Sequence, residues 1–350
     1  MTYSKNKKKV LIALSGGVDS SWAAKLIKKE SDQVLGIFLR LGVKEEEKQE
    51  EKARNVAKLL NIDFYPFNLS QKFKKDIIDY FLKSYQRGMT PNPCVKCNKI
   101  IKFRELMKLA DNLGYTHLAT GHYVRREQKK GKNYLKRARD KNKDQSYFLY
   151  NLTQKQLARC LFPLGGLLKT EVKEKAKKNK LYFYSKESQD ICFIQGDHND
   201  FLKKYLPLKK GPIKNLEGKL LGEHEGLPLY TLGQRKGVEI GEIGPLYVVK
   251  RDYRNNTLYV TDNPHHHLLF RDNFQMEKIN WINKKKGDKI ECEVVIRYGA
   301  KPVKGEIKKN KQGNWEVKLK EKIRAITPGQ SAVFYDKNMI LGGGVIKLTK

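Results

Sequence analysis

The chain has 350 residues, with 72 Lys or Arg against 38 Asp or Glu, so its formal net charge is +34. This length and a hydrophobic content of 39% are typical of a globular protein with two or three domains. No apolar run approaches the roughly 18 residues of a membrane span, and the basic N-terminal residues lead into a strand rather than a signal-peptide core. Membrane and secreted classes are therefore not expected.

The charge predicts a polyanionic partner, with nucleic acid as the first candidate, although a lysine-rich proteome would account for part of it. Five cysteines form an odd set without a disulfide framework. A reducing cytoplasm fits this usage best, and any paired thiols are expected to be catalytic or metal-binding.

The first motif follows the apolar run Val10–Leu14, where Ser15-Gly16-Gly17-Val18-Asp19-Ser20 leads into apolar residues at helical spacing. This pattern predicts a buried strand, a tight turn and a helix N-terminus. Unpaired N–H groups and hydroxyls there form an anion site for phosphate. The lysine of a Walker loop and the spacing of a dinucleotide fingerprint are both missing.

Apolar strands then alternate with helices, which predicts a parallel sheet covered on both faces, with ligands at the carboxyl ends of its strands. Leu39 ends the second strand and is a candidate neighbour of an adenine ring or a core residue. Gly121 would allow close backbone approach, and His122 would contact substrate or play a structural part. The predicted elements are strands at 33–39, 63–69 and 116–120 and helices at 45–60, 71–87, 99–113, 153–160 and 170–180, the last capped by Thr170.

Cysteines and prolines stand together in Thr90–Lys99. We expect Asn98 to cap helix 99–113, which would place Cys97 near a helix N-terminus, where its thiol pKa falls. A zinc site is disfavoured, because no second pair of cysteine or histidine ligands follows at the required spacing. An iron–sulfur site made by Cys94, Cys97 and a distant cysteine is kept as an alternative. From spacing alone, Cys192 resembles a buried strand residue.

The pattern of residues 125–139 predicts a basic hairpin, which leads to Lys143-Asp144-Gln145. Its lysines and arginines form either a solvated surface or a binding site for polynucleotide phosphates. Beyond residue 206 short strands with glycine-rich turns predict a small β domain and then a barrel. We expect domains at 1–206, 207–272 and 273–350, and a surface turn at His265–His267.

Six motifs in this order resemble the tRNA-specific 2-thiouridylase family of the ATP-pyrophosphatase superfamily. They are Ser15–Ser21, Thr90–Lys99, Thr120–Tyr123, Lys143–Leu149, Asp190–Ile194 and Leu232–Gly237. The resemblance implies an α/β, parallel-sheet PP-loop ATP-pyrophosphatase domain (adenine nucleotide alpha hydrolase-like), followed by a β-rich central domain and a C-terminal β-barrel. It also implies adenylation of the 2-carbonyl oxygen of a wobble uridine, then sulfur transfer.

The family also implies roles for single residues. Cys97 would be the nucleophile and Cys192 the persulfide carrier. The implied ATP site comprises Ala13, Leu14, Ser15, Gly16, Gly17, Val18, Asp19, Ser20, Leu39 and Gly121. The implied tRNA contacts are Asn92, Pro93 and Cys94 at the target base, and His122, Lys143, Asp144, Gln145, Arg297, Tyr298 and Gln330.

ATP and Mg²⁺ are the implied cofactors, with Asp19 as an indirect Mg²⁺ ligand; a [4Fe-4S] cluster stays an alternative. The implied partners are tRNA and a cysteine desulfurase or sulfur-relay protein, and we expect a cytoplasmic monomer. Many family members carry Asp where this chain has Cys94, and a thiol does not replace a carboxylate as general acid or base. The rival functions are an amide-forming ligase of the same superfamily and an RNA-binding protein without catalysis.

Overall fold

The computed structural model describes residues 8–181, 191–238, 240, 244–285 and 287–347. Its strands, in chain order, are β1 (Lys9–Ala13), β2 (Gln33–Arg40), β3 (Asp63–Asn68), β4 (His117–Ala119), β5 (Arg125–Lys129), β6 (Lys132–Lys136), β7 (Cys160–Leu161), β8 (Gly211–Lys214), β9 (Leu220–His224), β10 (Tyr247–Asp252), β11 (Thr257–Thr261), β12 (Phe270–Trp281), β13 (Lys289–Val295), β14 (Val303–Lys309), β15 (Trp315–Arg324), β16 (Ser331–Asp336) and β17 (Met339–Lys347).

A parallel sheet of order β3-β2-β1-β4-β7 forms the N-terminal domain. Val10, Leu11 and Ile12 in the central strand β1 have no exposed surface, because helices cover both faces of the sheet. The strand order reverses between β1 and β4, and ligands of such sheets bind at this point. The predicted parallel-sheet α/β domain is confirmed.

The helices of this domain begin and end close to the predicted positions, with two exceptions at Pro93 and Lys169. The α-helical segments are Val18–Glu30, Glu46–Leu60, Ser70–Phe73, Asp79–Gln86, Pro93–Cys97, Leu106–Asn112, Gln154–Arg159, Lys169–Lys178 and, after this domain's last strand, His198–Tyr205. Two π-helical segments, Lys74–Ile78 and Asn98–Glu105, continue the neighbouring α-helices without a break.

The first exception is the helix predicted at 99–113, which begins six residues earlier, at Pro93. Asn92 caps it, because its side-chain oxygen accepts hydrogen bonds from the N–H groups of Cys94 and Val95 at 3.1 and 3.4 Å. Proline favours the first position of a helix, since it has no N–H to leave unpaired. The prediction that Asn98 caps the helix was therefore wrong.

The second exception is the helix predicted to start at Thr170, which starts at Lys169. Its first turn is closed by Glu171, whose carboxylate accepts a hydrogen bond from the N–H of Leu168 at 2.9 Å. Thr170 is therefore not the cap. This one-residue shift matters, because it places Lys169 at the start of the helix.

Two β structures follow. Strands β10-β11-β8-β9 form the central sheet, and β12-β15-β14-β13-β16-β17 form a barrel closed by pairing between β12 and β17. The basic hairpin β5–β6 extends the barrel sheet, since β6 pairs with β17 at Met339 and Lys136. The sequence predicted the hairpin but not this attachment. In the described residues, no helix has the length and apolar character to cross a membrane.

The barrel contacts the N-terminal domain through buried hydroxyl groups. The Tyr147 hydroxyl donates to the carbonyl oxygen of Ser331 at 2.8 Å, and the hydroxyls of Tyr150 and Ser331 lie 3.0 Å apart. Gly343 allows this close approach, because a Cβ there would lie 2.8 Å from the Tyr150 ring. The two domains therefore share one packed interface.

We expect Tyr147→Phe to lower the free energy of unfolding by about 1–3 kcal/mol, since it leaves a buried carbonyl oxygen without its donor. Urea unfolding followed by circular dichroism measures this. The matched control is Tyr65→Phe, whose side chain is exposed. Equal urea midpoints for the two variants would contradict the buried hydrogen bond.

Candidate functional site

Hydrogen bonds within the loop between β1 and the first helix fix the conformation of this loop. The Ser15 N–H donates to Ser20 Oγ at 3.1 Å, and that hydroxyl donates to the carbonyl of Gly17 at 2.9 Å. Gly16 has a φ of +74°, and a Cβ there would lie 2.6 Å from the carbonyl oxygen of Gln49. Only glycine fits this position, so the helix N-terminus is presented to a ligand without rearrangement.

A lysine from elsewhere in the chain lies beside this loop. The Nζ atom of Lys169 lies 2.7 and 2.6 Å from the two carboxylate oxygens of Asp19, and the Tyr123 hydroxyl donates to the same carboxylate at 2.8 Å. Lys169 is only 7% exposed. The loop therefore has a cation close by, although its own sequence contains none.

Sequence reasoning missed Lys169, because 150 residues separate it from Asp19. Its only signal was indirect: a phosphate loop without a lysine needs positive charge from another element. Asp19, predicted as an indirect Mg²⁺ ligand, is paired with this lysine.

Gly121 and His122 follow β4, and Gly121 contacts the loop. A Cβ on Gly121 would lie 3.0 Å from the backbone nitrogen of Ser20, so the two loops make close contact. The His122 ring lies 2.8 Å from the hydroxyl of Thr120. Burial, with a smaller effect from Lys102, lowers the pKa of His122 to about 3, so the ring is neutral at physiological pH.

The thiol of Cys97 differs from the sequence prediction. Cys97 ends the segment Pro93–Cys97 inside a continuous helix, and it is buried. Burial raises the pKa of its thiol to about 12, against the smaller opposing effect of Lys102. The predicted lowering of this pKa was wrong, because the helix begins at Pro93 and Cys97 is no longer at its N-terminus.

Three thiols lie close enough to affect one another. Burial raises the pKa of Cys97 most, and Cys192 and Cys94 add to this. Desolvation by neighbouring groups raises the pKa of Cys192, and Cys94 adds to that shift. Lys102 opposes the shift at all three thiols. We call Cys94, Cys97, Cys192 and Lys102, which affect one another's charge, the thiol cluster.

Cys192 is exposed and lies in a turn, so the interpretation as a buried strand residue was wrong. The next residue, Phe193, packs its ring 5.9 Å from Phe73, in the same apolar group as Cys97. This packing holds the segment of Cys192 beside the apolar group of Cys97, which is distant in sequence. The polar loop at 185–190, which precedes Cys192, lies outside the described residues.

The described cysteines Cys94, Cys97, Cys160, Cys192 and Cys292 are all free thiols. Cys160 is fully buried, as predicted. Within the described ranges, no three His, Cys, Asp or Glu side chains are grouped closely enough to hold a metal ion.

Several predicted tRNA contacts also support the local structure. Asp144 accepts hydrogen bonds from the N–H groups of Ala138 and Ser146, and the Gln145 side chain accepts one from the Tyr123 N–H at 2.9 Å. These side chains fix residues 143–145 beside the segment that follows β4 and contains Gly121. Lys143 begins this segment.

The other predicted contacts come from the barrel. The Tyr298 ring is 46% exposed and lies 4.5 Å from the Phe148 ring, and Arg297 beside it is exposed. Gln330 instead lies at the base-contact segment, where its amide donates to the carbonyl oxygen of Thr90 at 2.8 Å. Leu39 packs in the apolar group that contains Cys97.

The fold and the loop define a nucleotide-binding α/β domain of the HUP class joined to two β domains. Residues 8–196 match the family model described as "tRNA methyl transferase HUP domain". Residues 199–262 match the "tRNA methyl transferase PRC-barrel domain", and residues 271–346 match the "Aminomethyltransferase beta-barrel domain".

Curated relatives give the family its name. The chain is 40% identical to "tRNA-specific 2-thiouridylase MnmA" of Idiomarina loihiensis, over 98% of this chain and 97% of that protein. It is 42% identical to the protein of the same name from Chloroflexus aggregans, over 96% and 98%, and 40% identical to that of Photorhabdus laumondii, over 98% of each. The chain belongs to the tRNA-specific 2-thiouridylase family.

We expect iodoacetamide to alkylate Cys192 before Cys97. At pH 8 a thiol with a pKa of about 12 is ionised in only about one molecule in ten thousand, and its rate rises roughly tenfold per pH unit. Peptide mass spectrometry between pH 7.5 and 9.5 measures both rates, with fully buried Cys160 as the unreactive control. Alkylation of Cys97 as fast as Cys192 would contradict the burial of its thiol.

Proposed function

We propose that this protein is an ATP-dependent tRNA 2-thiouridylase that replaces the 2-carbonyl oxygen of a wobble uridine with sulfur. The observation that carries the proposal is the packing that links the phosphate loop to the helix of Cys97. Gly121 contacts Ser20 of the loop, the His122 ring lies 5.9 Å from the Phe103 ring, and Phe103 belongs to the continuous helix that carries Cys97. This packing supports a phosphate site and a sulfur site that are neighbours.

Activation is the first step, since a uracil carbonyl is a poor electrophile. ATP binds at residues 13–20, with its phosphates on the helix N-terminus and the adenine beside Leu39 and Gly121. The carbonyl oxygen attacks the α-phosphorus, and pyrophosphate leaves. The oxygen then carries AMP, which is a good leaving group.

Lys169 supplies the positive charge that the loop lacks. The lysine forms an ion pair with Asp19 beside the loop, so its side chain is already ordered. It can therefore neutralise the phosphates with little further loss of conformational entropy. The Asp19 carboxylate, whose side chain is 34% exposed, suits an indirect contact to Mg²⁺. When bound, Mg²⁺ neutralises phosphate charge and favours departure of pyrophosphate.

The target base lies against Asn92, Pro93 and Cys94, and the neutral ring of His122 donates or accepts a hydrogen bond without adding charge. Arg297 and Tyr298 suit a phosphate contact and stacking on a base or sugar. Lys143 lies where a polynucleotide phosphate would pass, and Asp144 and Gln145 hold its segment in place.

Sulfur transfer uses Cys192 as the persulfide carrier and Cys97 as the nucleophile. The outer sulfur of the Cys192 persulfide becomes bonded to C2, and AMP leaves with the oxygen. The Cys97 sulfur attacks the inner sulfur and breaks the S–S bond, so a Cys97–Cys192 disulfide and 2-thiouridine result. A dithiol reductant returns both thiols for the next turnover.

Exposure of Cys192 suits delivery of sulfur by a cysteine desulfurase or a sulfur-relay protein. The tRNA substrate and the need for reduced thiols favour the cytoplasm, and we propose a monomer. We also propose that residues 1–206 form the catalytic domain, 207–272 the central tRNA-contacting domain and 273–350 the barrel.

Incubation with ATP, Mg²⁺, unmodified tRNA, a dithiol reductant and a cysteine desulfurase with cysteine as the persulfide donor, followed by nucleoside mass spectrometry, tests the function. We expect 2-thiouridine and AMP from the wild type, and a loss of at least about a hundredfold in Cys97→Ser and Cys192→Ser, because each removes a sulfur atom of the transfer step. Cys292→Ser, outside the thiol cluster, is the control. Full activity of Cys97→Ser would favour a ligase, and tRNA binding without AMP release would favour a binding protein.

Lys169→Met should weaken ATP binding about ten- to a hundredfold, since one charge-assisted contact to phosphate is lost. Titration calorimetry with ATP and Mg²⁺ measures the affinity. Lys177→Met changes an exposed lysine of the same helix and serves as the control. Wild-type ATP affinity in the Lys169 variant would rule out its role at the phosphates.

A further inference from the structure

Residues 88–92, which we call the entry loop, lead into the helix that begins at Pro93. Contacts from both β domains hold this loop. From the central domain, Arg251 donates to the carbonyl oxygen of Gly88 at 2.8 Å, and the Thr231 hydroxyl lies 3.3 Å from that of Thr90. From the barrel, Gln330 donates to the carbonyl oxygen of Thr90 at 2.8 Å.

Arg251 has unusual surroundings for a charged residue. Its guanidinium donates to two backbone carbonyls, of Tyr230 and Gly88, both at 2.8 Å. Burial lowers its pKa, and within the described ranges it forms no ion pair with a carboxylate. The planar guanidinium carries five N–H donors, so it can bind both carbonyls at once and join the central domain to the entry loop.

The fit around the loop is tight. Gly88 has a φ of +72°, and a Cβ there would lie 2.7 Å from the Tyr253 ring. On the barrel side, the Thr90 N–H donates to the carbonyl of Pro328 at 2.8 Å, and a Cβ on Gly329 would lie 2.8 Å from the Thr90 nitrogen. The loop therefore has little room to move while both domains stay in place.

We propose that Arg251 and Gln330 are positioning residues that clamp the entry loop from two domains and so fix Asn92, Pro93 and Cys94 next to Cys97 and Cys192. The effect on catalysis rests on the proposed function, whereas the clamp itself does not. Gln330 holds Thr90 through one amide N–H, and its second N–H and its oxygen stay available for the predicted tRNA contact. Sulfur transfer depends on the clamp, since a displacement of about 1 Å can cost about a hundredfold in rate.

The test compares Arg251→Met and Gln330→Met with the matched control Arg254→Met, which changes an exposed arginine just after the same strand. Hydrogen exchange measured by mass spectrometry follows the amides of residues 88–95 in the full chain. Gel-shift titration gives tRNA affinity, and single-turnover thiolation with saturating tRNA and persulfidated enzyme gives the transfer rate.

For both variants we expect exchange at residues 88–95 to accelerate about tenfold or more, and transfer at saturating tRNA to slow about tenfold or more. The tRNA affinity of Arg251→Met should stay within about twofold of wild type. Arg251→Lys, which keeps the charge and can reach one of the two carbonyls, should recover part of the rate. The fold loss of transfer rate in the double variant should be smaller than the product of the two single-variant losses, because both residues act on one loop.

Unchanged exchange at residues 88–95 would overturn the clamp. For Gln330→Met, weaker tRNA binding with an unchanged saturated transfer rate would assign Gln330 to tRNA contact and overturn its positioning role. Should the wild type form no 2-thiouridine, the proposed function fails, while the exchange measurement still decides the clamp.

Discussion

The site depends on the close approach of two loops at the point where the sheet order reverses. Gly121 after β4 lies so near to Ser20 after β1 that a Cβ would be 3.0 Å from its backbone nitrogen. Because of this contact, the phosphate loop and the segment after β4 are held together. The helix that carries Cys97 packs Phe103 at 5.9 Å from the His122 ring. The segment after β4 therefore links the phosphate loop to the helix of Cys97.

Charge at the phosphate loop is balanced before any ligand arrives, because Lys169 is paired with Asp19. Burial raises the pKa of the Cys97 thiol to about 12, so this thiol is protonated and a poor nucleophile at rest. Burial also protects Cys97 from adventitious oxidation, whereas Cys192 is exposed.

The β domains hold segments of the N-terminal domain in place. Tyr147 and Tyr150 hydrogen-bond to Ser331 in the barrel, and Arg251 and Gln330 hold the loop before Pro93. The motif Leu232–Gly237 belongs to the same support, because the Gln234 side chain accepts a hydrogen bond from the N–H of Thr231 at 2.8 Å. Motifs distant in sequence therefore act on one short segment.

The sequence by itself determined the parallel-sheet domain, the phosphate loop and the two β structures, because hydrophobic periodicity and glycine turns are local signals. Its motifs also identified the family. The sequence did not determine where the helix at Pro93 begins, since Asn92 and Asn98 are both good caps and only packing chooses between them. Only the tertiary structure revealed Lys169 beside Asp19, the buried state of Cys97, the exposure of Cys192 and the carbonyl contacts of Arg251. Each of these depends on which residues distant in the chain lie together and exclude water, and no local pattern encodes that.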